Sequence, residues 1–392
     1  MNNFSFDIVI VGRGFVGTAL ALLLRDLPLN IAILDRLPEF SNTSDFRSIV
    51  LSYGSYLILD RLGLGDFIKN HALPIHTIQV SDAGHFGMTH VSSVEEGVPA
   101  LGYVIEGGVL QRGLETSLKT NSSLTFFYDS QIVSLIESEG GHQITIEHQG
   151  EYKILKTDLL VGADGTHSII RKLKKVKTKE FDYEQTAIVS KIDLNRAHDF
   201  ISYERFTSEG SIAFLPLSGL QSGLVWSAPS VLAAEILSLS DELFLQRLQK
   251  QFGYRLGKFR GVTQRITYPL KSSSACLQGG KAWILVGNAA HTLHPIAAQG
   301  FNLGLRDVTF LSEVISDSLG LNKKRYENDL IARYSAGREA NQEKTQRFTH
   351  CLVSLFSQTY WPMKLARNGV SALIEYFPPL KHRIAKHGMG IS

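Results

Sequence analysis

Three glycines near the start of the chain have the spacing of a dinucleotide-binding turn. Gly12, Gly14 and Gly17 follow an apolar run that begins at Asp7, and the helix-forming stretch TALALLLRDL comes after them. In such a turn the first glycine permits the tight bend, the second lets a pyrophosphate approach the backbone, and the third lets helix and strand pack closely. Asp35 ends the next apolar run, where a carboxylate binds ribose hydroxyls. The spacing predicts a dinucleotide site, against the alternatives of a structural glycine turn and a helix-capping aspartate.

A second segment, DLLVGADGTHSIIRKL, places Asp164 between an apolar strand and a predicted helix. The strand ends in small residues, and Ser168 and Arg171 fall on the first turns of the helix. An aspartate at this point either caps the helix or contacts a ligand. The sequence leaves these two roles of Asp164 equally open.

A third segment, VGNAAHTLHPIAAQGFNLGLRD, carries His291 and His294, three residues apart. No acidic residue separates them in a metalloprotease pattern and no cysteine is near, so the spacing argues against a metal site. A serine hydrolase would need a GxSxG elbow, which the chain lacks. The two glycine-containing turns instead leave backbone N–H groups free, and the second turn opens a helix whose N-terminus stabilises negative charge. The segment favours a large flat ligand such as a reduced flavin.

Composition narrows the class of protein further. The 392 residues are 44% hydrophobic and 20% charged with a net charge of +3, which argues against bulk nucleic-acid binding. The two cysteines, Cys276 and Cys351, are far apart, so neither a disulfide framework nor a zinc cage is expected. We read no signal peptide and no apolar run of roughly 18 residues that could span a membrane. The expected location is the cytoplasm, either free or peripherally on the inner face of the cytoplasmic membrane.

The hydrophobic pattern changes along the chain. A strand–helix–strand pattern at the start gives way to a hairpin pattern over residues 131–155 and to short β-branched and aromatic runs over residues 181–226. A short amphipathic helix is predicted over residues 241–251, and the pattern after Gly300 is helical. The predicted fold is α/β, with a Rossmann-like dinucleotide-binding domain, an inserted antiparallel β-sheet domain and a helical C-terminal part.

The three glycine-containing segments, in this order, resemble those of the flavoprotein aromatic hydroxylases of the para-hydroxybenzoate hydroxylase type. Within that family the chain is most similar to the ubiquinone-biosynthesis branch, and to its 2-polyprenyl-6-methoxyphenol hydroxylases above all. The resemblance runs nearly the whole length and is carried by the stretches VSDAGHFG, ERFT, FGYRLGK and VGNAAHTLHPIAAQGFNLGLRDV. It divides the chain into FAD-binding parts at residues 1–75, 99–180 and 271–330, β-rich substrate parts at 76–98 and 181–270, and a helical C-terminal region at 331–392.

The resemblance implies which residues contact FAD. Gly12, Gly14 and Gly17 hold the pyrophosphate, Asp35 holds the adenosine ribose, and Asp164 serves both FAD and a transient nicotinamide donor. The complete implied set is Gly12, Gly14, Phe15, Val16, Gly17, Asp35, Arg36, Arg47, Ala163, Asp164, Gly165, Gly287, Asn288, Pro295, Ala298, Gln299, Gly300, Phe301 and Asn302.

The chain also departs from the family pattern. Asn288 replaces the usual aspartate at the position that bonds the ribityl chain, and Ala298 replaces a more usual glycine beside the flavin. Gly107 and Gly108 stand where relatives often place a polar side chain against FAD. Arg13, inside the glycine pattern, has no predicted role.

The activity that the resemblance implies is ring hydroxylation of a polyprenylated methoxyphenol in ubiquinone biosynthesis. NAD(P)H reduces FAD, dioxygen adds to give a flavin hydroperoxide, and its distal oxygen passes to the ring. The alternatives are hydroxylation of a small soluble phenol and a non-catalytic flavoprotein scaffold of a quinone-biosynthetic complex. The sequence identifies no catalytic residue: His291, His294 and Tyr203 are candidates for accepting the phenol proton, although each has an ordinary structural role as the stronger alternative.

Two further regions bear on the substrate and on partners. The stretches SIAFLPL and LVW could line an apolar tunnel for a prenyl chain, although plain sheet core is the stronger alternative. The region from His350 onward mixes aromatic and basic residues, which suits a membrane surface or another ubiquinone-biosynthesis protein. A helical cap packed on the body of the protein is an equal alternative.

Overall fold

Within the described residues, the chain forms three β-sheets surrounded by helices. The computed structural model describes residues 3–39, 45–83, 88–118, 124–296, 299–320, 328–357 and 377–391. In chain order the strands are β1 Asn3–Val11, β2 Ile31–Leu34, β3 Ser48–Ser52, β4 Leu73–Ile75, β5 Thr77–Asp82, β6 Met88–Ser92, β7 Gly102–Glu106, β8 Leu124–Phe127, β9 Ser130–Ser138, β10 Gly141–His148, β11 Glu151–Gly162, β12 Thr178–Leu194, β13 Ile201–Thr207, β14 Gly210–Leu217, β15 Gln221–Pro229, β16 Phe259–Val262, β17 Ile266–Ala275, β18 Gly279–Gly280, β19 Trp283–Leu285 and β20 His291–Thr292. The helices are α1 Phe15–Leu24, α2 Tyr53–Leu59, α3 Gly65–His71, α4 Gly107–Leu118, α5 Ile169–Leu173, α6 Ser230–Ser238, α7 Asp241–Phe252, α8 Gln299–Gly320, α9 Asn328–Ser357 and α10 Pro378–Met389.

The first sheet has the strand order β18–β19–β11–β1–β2–β8, and the hairpin β9–β10 joins it at β11. β1 runs parallel to β2 and β11, and β11 runs parallel to β19. Ile8, Val9 and Ile10 have no exposed surface, as expected for parallel strands covered on both faces. The predicted strand–helix–strand unit is therefore confirmed. β1 starts at Asn3 rather than at Asp7 because its first residues pair with β11 as well.

The second sheet has the strand order β20–β17–β12–β15–β14–β13–β5–β6, with β16 on β12. Its paired strands are antiparallel, except that β13 and β5 run parallel. The residues whose broken β-branched runs predict an antiparallel sheet form β12 to β15 at its centre. The predicted α/β class, with an antiparallel sheet inserted in a Rossmann-like unit and helices after Gly300, is confirmed.

Helices α6 and α7 cover one face of the second sheet. Trp226 and Phe214 are fully buried on that face, where Phe214 and Phe252 of α7 pack edge to face with ring centroids 4.6 Å apart. Because side chains alternate along a strand, the residues between these point to the opposite face. That opposite face is turned toward the first and third sheets.

The third sheet, β3–β7–β4, connects the two larger ones. Val104 of β7 packs in one apolar cluster with Leu215 and Leu217 of β14 and with Met389 of α10. β5 and β6, from the predicted substrate part at residues 76–98, pair within the second sheet. The predicted boundary between residues 270 and 271 falls inside β17.

Candidate functional site

The turn between β1 and α1 has no room for side chains at two of its three glycines. Gly12 has φ +104°, and a Cβ built on it lies 2.5 Å from the carbonyl oxygen of Ala163. A Cβ on Gly17 would overlap the carbonyl oxygen of Gly12, whereas one on Gly14 meets no protein atom within 4 Å. Gly165, at φ +80°, bends the neighbouring turn. The turn therefore presents bare backbone at Gly14, where a pyrophosphate needs it.

The N-terminus of α1 presents backbone N–H groups that no side chain caps. The helix begins at Phe15 after Gly14, with no acidic residue in its first turn. Such a terminus binds phosphate. Phe15 packs edge to face against Phe301 of α8 with centroids 5.4 Å apart, and Val16 lies where a side chain on Gly287 would reach. The start of α1 therefore lies beside both the start of α8 and the turn after β19.

Asp35 lies directly after β2, next to the glycine turn. Its Oδ2 accepts a hydrogen bond from the Arg13 backbone N–H at 2.5 Å, and its Oδ1 accepts one from the Leu37 N–H at 2.8 Å. Each carboxylate oxygen has a further lone pair for a ribose hydroxyl. Arg36 beside it is exposed. The carboxylate is thus held rigidly at the predicted ribose position.

Arg13, for which the sequence suggests no role, ties three segments together around this turn. Its buried guanidinium donates to Glu115 Oε1 of α4 at 2.8 Å and to the Pro38 carbonyl at 3.2 Å. It also lies over the Tyr128 ring, 4.9 Å from the centroid. Its partners are distant in sequence. The only sequence signal for these contacts is that an arginine is unusual inside the glycine pattern.

Arg47 lies between β3 and β17. Its guanidinium binds Asp45 through two contacts of 2.7 and 2.6 Å and lies 5.6 Å from the centroid of the Tyr268 ring; the hydrogen bond to Asp45 raises the pKa of Arg47. The N–H groups of Gly107 and Gly108 donate to the carbonyl oxygens of Arg47 and Asp45 at 2.9 and 2.7 Å. A Cβ on Gly107 would lie 2.5 Å from the Asp45 carboxylate. A side chain at position 107 would therefore require the Asp45 carboxylate to move.

Asp164 lies against the glycine turn, with its Cα 2.8 Å from a Cβ built on Gly12. Its Oδ2 accepts hydrogen bonds from the Ile169 and Ile170 N–H groups at 2.6 and 3.2 Å. Its Oδ1 is buried and has no hydrogen-bond partner in the described part of the chain. Burial raises the pKa of Asp164, and the Ser168 hydroxyl opposes that rise. One oxygen thus caps α5, and the other is available to a ligand hydroxyl.

The turn after β19 is fixed to the Asp164 segment. Gly287 has φ +56°, and Asn288 is exposed at the apex of the turn. Arg171 of α5 donates to the Ala289 carbonyl at 2.8 Å and to the Thr166 carbonyl at 2.6 Å. The two turns therefore hold each other in place and leave the Asn288 amide accessible.

The residues before and at the start of α8 differ in exposure. Pro295 is exposed, Gln299 is buried, and a Cβ on Gly300 would meet no atom of the described residues within 4 Å. Phe301 packs on α1, as described above. Ala298 lies outside the described residues. The start of α8 therefore leaves open space beside its backbone at Gly300.

Asn302 binds the start of α8 to the third sheet. Its Oδ1 accepts a hydrogen bond from the Ser52 N–H at 2.9 Å, and its Nδ2 donates to the Val50 carbonyl at 3.0 Å. These partners are 250 residues away in sequence, so nothing in the local pattern predicts the contact.

A buried charged network lies behind the start of α8. Asp307 is fully buried, and its Oδ2 is 2.5 Å from Nε2 of the equally buried His291. Its Oδ1 accepts hydrogen bonds from Arg338 at 2.7 Å and Gln342 at 3.0 Å. Burial alone would raise the pKa of Asp307, but His291, Arg338 and Gln342 lower it overall.

The three sequence candidates for accepting a phenol proton lie in packed surroundings. His291 is bound to Asp307. His294 is buried with its ring 4.8 Å from that of Tyr183, its Nδ1 accepts from the Ile296 N–H at 3.1 Å, and burial lowers its pKa to about 4. Tyr203 packs on Phe252 with centroids 5.6 Å apart, on the helix-covered face of the second sheet. The structure therefore gives each of them a structural role.

The opposite face of the second sheet combines apolar and polar side chains. Ile78, Val80 and Val225 are partly exposed there, and so is Glu204 of β13. In the sequence this glutamate belongs to the ERFT stretch but has no assigned role, because one carboxylate in a strand with polar neighbours looks like an ordinary surface residue. The stretches SIAFLPL and LVW divide between the two faces: Phe214, Leu224 and Trp226 belong to the helix-covered core.

The described residues fit FAD. They provide a glycine turn with bare backbone, an uncapped helix N-terminus, a carboxylate after β2, a buried Asp164 oxygen without a partner and a second open helix start at Gly300. No group of three His, Cys, Asp or Glu side chains among the described residues could hold a metal ion. None of the described helices is long and apolar enough to span a membrane.

Comparison with known proteins identifies the same cofactor. The family described as FAD binding domain matches residues 5–349. The chain is 33% identical to the ubiquinone hydroxylase UbiL of Rhodospirillum rubrum, covering 98% of this chain and 89% of that protein. It is 26% identical to the 3-demethoxyubiquinol 3-hydroxylase of Escherichia coli over the full length of both.

The solved structure of p-nitrophenol 4-monooxygenase PnpA from Pseudomonas putida superimposes with a TM-score of 0.81, at 14% identity, covering 98% of this chain and 97% of that one. At this identity the superposition shows a shared fold. Together with the family match, it shows that the chain belongs to the FAD-binding family that includes the ubiquinone hydroxylases and is an FAD-dependent aromatic monooxygenase.

Proposed function

We propose that this protein hydroxylates the aromatic ring of a polyprenylated methoxyphenol in ubiquinone biosynthesis. The observation that carries this proposal is the 33% identity to a ubiquinone hydroxylase over nearly the whole chain, joined to a glycine turn and helix starts that fit FAD. NAD(P)H is the proposed electron donor and dioxygen the oxygen source.

In this proposal FAD supplies the redox and oxygen chemistry, and the protein supplies position and electrostatics. Gly12, Gly14 and the N-terminus of α1 would hold the pyrophosphate, and Asp35 would bind the adenosine ribose. The free Oδ1 of Asp164 would accept a hydrogen bond from a hydroxyl of the cofactor. Asn288 is exposed on the adjacent turn. Its amide can both accept and donate hydrogen bonds, whereas an ionised aspartate can only accept them.

The start of α8 would face the pyrimidine side of the flavin ring. A helix N-terminus stabilises negative charge, which a reduced flavin carries there. Asn302 keeps this helix start in place through its two bonds to the third sheet. The implied set of FAD contacts, including Gln299 and Pro295, remains a prediction for binding experiments.

The face of the second sheet that looks toward α8 would receive the substrate. Ile78, Val80 and Val225 offer partly exposed apolar surface. Water exclusion at this wall favours oxygen transfer to the ring over release of hydrogen peroxide. An apolar wall is also what a prenylated ring needs.

Deletion of the gene in its host, followed by mass spectrometry of quinone intermediates, tests the proposal. We expect a polyprenylated methoxyphenol to accumulate and the mature quinone to fall. Unchanged quinone together with no accumulated intermediate would contradict the assignment.

A second experiment separates the alternatives. Purified, FAD-loaded protein is mixed with NADH or NADPH and either a short-chain prenylated methoxyphenol or the same phenol without a prenyl group. Hydroxylated product from the prenylated compound at a kcat/KM at least tenfold higher supports the proposed substrate. Equal values favour a small soluble phenol, and no product from either favours a scaffold.

We further propose that the protein meets its lipid substrate at the membrane surface. The prenyl chain places the substrate in the bilayer, and the region from His350 onward contributes aromatic and basic residues. In the described part of that region Val353 is buried and packs with Phe206 and Ile296, while residues 358–376 lie outside the described residues. Co-flotation with anionic vesicles, compared with neutral ones, tests this location.

A further inference from the structure

Glu204 lies at the centre of β13, on the face of the second sheet that is turned away from α6 and α7. It pairs with Ala213 of β14 on one side and with Val80 of β5 on the other. Its neighbour Tyr203 packs on Phe252 of α7. Because successive side chains on a strand point to opposite faces, the Glu204 carboxylate points to the face that looks toward α8.

The surroundings of Glu204 place it opposite the start of α8. Phe206, two residues further along β13 and about 7 Å away along the strand, packs with Ile296 of the segment just before α8. In the other direction Leu215 packs with Met389 of α10. The carboxylate therefore lies between two apolar clusters that join the second sheet to the rest of the protein.

Glu204 combines accessibility with desolvation. The residue keeps part of its accessible surface, so it is not locked in the core. The surrounding protein nevertheless removes most of its water: burial raises the pKa of Glu204 to about 7, and a hydrogen bond from the Ser211 hydroxyl only partly opposes this rise. Ser211 pairs with Phe206 across β13 and β14, on the same face.

We propose that Glu204 is a catalytic residue that binds the hydroxyl group of the phenol substrate and accepts its proton. The proposal rests on the function proposed above, since it needs a phenol facing the flavin. Electron-rich rings accept oxygen faster as phenolates, so a base at this wall would activate the ring.

The proton transfer balances within the site. The phenol O–H bond breaks, the Glu204 carboxylate takes the proton, and the electron pair stays on the phenol oxygen. The ring gains one atom of dioxygen as a hydroxyl group, while the other atom leaves as water and NAD(P)H, the proposed donor, supplies the two electrons. Glu204 then returns the proton to that phenol oxygen, and the hydrogen lost from the hydroxylated carbon leaves as a proton to water. The carboxylate ends the cycle in its starting state.

A carboxylate with an ordinary pKa would be a weak base toward a phenol. General-base efficiency is greatest when the pKa of the base lies near the working pH, which is where the environment places Glu204. Among the described residues, the other titratable side chains on or against this face include Asp82 of β5, Tyr183 and Lys191 of β12, Tyr268 of β17, His294, and His350 of α9. Lys191 is paired with Glu106 at 2.6 Å, and Tyr268 lies beneath Arg47.

The test compares Glu204→Gln with the wild type in the FAD-loaded enzyme, using a short-chain prenylated methoxyphenol and a fluorinated analogue that is already ionised at the assay pH. Glu147→Gln is the matched control, because this substitution makes the same chemical change at an exposed position on β10. FAD content and thermal unfolding are recorded for each variant, and Glu204→Asp serves as a second, shorter carboxylate.

We expect Glu204→Gln to lower kcat for the ordinary phenol about 100-fold, within the range for loss of a general base. The acid limb near pH 7 in the kcat/KM profile should disappear, and the bound phenol should show the absorption of the neutral form rather than the phenolate. The ionised fluorophenol should restore kcat to within about threefold of the wild type, and Glu204→Asp should recover part of the loss.

Unchanged kcat and pH profile in Glu204→Gln would overturn the assignment, as would an equal loss with both phenols, which indicates a structural role. If the wild type itself hydroxylates neither phenol, the proposed function fails together with the assignment. If the wild type hydroxylates the phenol and Glu204→Gln is unaffected, only the role assigned to Glu204 fails and the proposed function stands.

Discussion

The proposed cofactor cleft would have a nucleotide end, formed by Gly12, Gly14, Gly17 and Asp35, and a ring end, formed by Asp164, Asn288 and the start of α8. At the nucleotide end the protein makes room by omitting side chains, and both Asp35 oxygens already accept backbone hydrogen bonds. At the ring end one Asp164 oxygen has no hydrogen-bond partner among the described residues, Asn288 is exposed, and buried charges lie behind the helix. The first end is defined by shape and the second by polar groups.

The largest effect on FAD binding should come from adding single methyl groups at the nucleotide end. We expect Gly17→Ala to abolish FAD binding and to lower the free energy of unfolding by about 3 kcal/mol, because the new Cβ overlaps the Gly12 carbonyl. Gly14→Ala meets no protein atom, so it should leave the unfolding free energy within about 1 kcal/mol and weaken FAD about tenfold. Urea unfolding of the apoprotein and FAD titration measure the two quantities. Equal stability losses in both variants would show that Gly14 is only structural.

At the ring end, removing a buried charge should cost stability. Asp307→Asn leaves Arg338 without its carboxylate, and we expect a loss of about 3–5 kcal/mol in the free energy of unfolding. Since the folded state lowers the pKa of Asp307, its stabilisation is present above pH 3.8 and is lost as pH falls through the folded value. Asp317→Asn, on the exposed side of α8 in a pair with Arg333, should cost about 0–1 kcal/mol. Similar losses in both variants would contradict the distinction.

The two oxygens of Asp164 can be separated by experiment. Ser168→Ala removes the hydroxyl that accepts from the Arg171 N–H, and it should cost about 1 kcal/mol of stability with unchanged FAD affinity. Asp164→Ala should cost a similar amount of stability. It should also weaken FAD binding about tenfold, because FAD loses the hydrogen-bond acceptor that Oδ1 would supply. Isothermal titration with FAD decides the matter: unchanged affinity in Asp164→Ala would leave this residue as a helix cap alone.

The smallest effect at neutral pH concerns His294. Because folding lowers its pKa to about 4, the unfolded chain alone binds a proton as pH falls from 6.5, and stability decreases over that window. Its contribution is about 1.4 kcal/mol per pH unit at most. His294→Asn should leave stability at pH 8 nearly unchanged and reduce the slope between pH 6 and 4.

His142, on the distant β10, supplies the matched comparison. Burial lowers its pKa to about 4 as well. His142→Asn should reduce the same acid slope without affecting the ring end. A slope that neither variant changes would mean that these histidines titrate normally in the folded protein.

The parts of the fold that rest on local pattern could be predicted from the sequence. The β1–α1–β2 unit, the β9–β10 hairpin and α7 each follow from periodicity and turn residues within a short stretch. The third sheet could not be predicted in this way, since its three short strands come from separated segments and pair only when the chain has folded. The same limit applies to the Asn302 contacts with β3 and to the link between Arg13 and Glu115.

The site shows the same division. Glycine spacing predicts the nucleotide end because the constraint is local and steric. The two roles of Asp164 stay open in the sequence, and the structure shows one oxygen capping α5 and the other without a partner. The sequence marks Glu204 only as part of the ERFT stretch and gives it no role, because its desolvation depends on what packs against a sheet face.

The pairing of β11 with both β1 and β19 has a consequence for synthesis of the protein. The edge of the cleft formed by the turn after β19 is made from residues near 290, although the glycine turn is complete within the first twenty. A nascent chain therefore carries β1 and β2 before β11 has been made, and a sheet dominated by such distant pairings closes slowly. We expect FAD to bind only after about three quarters of the polypeptide, the part up to the turn near residue 290, has emerged.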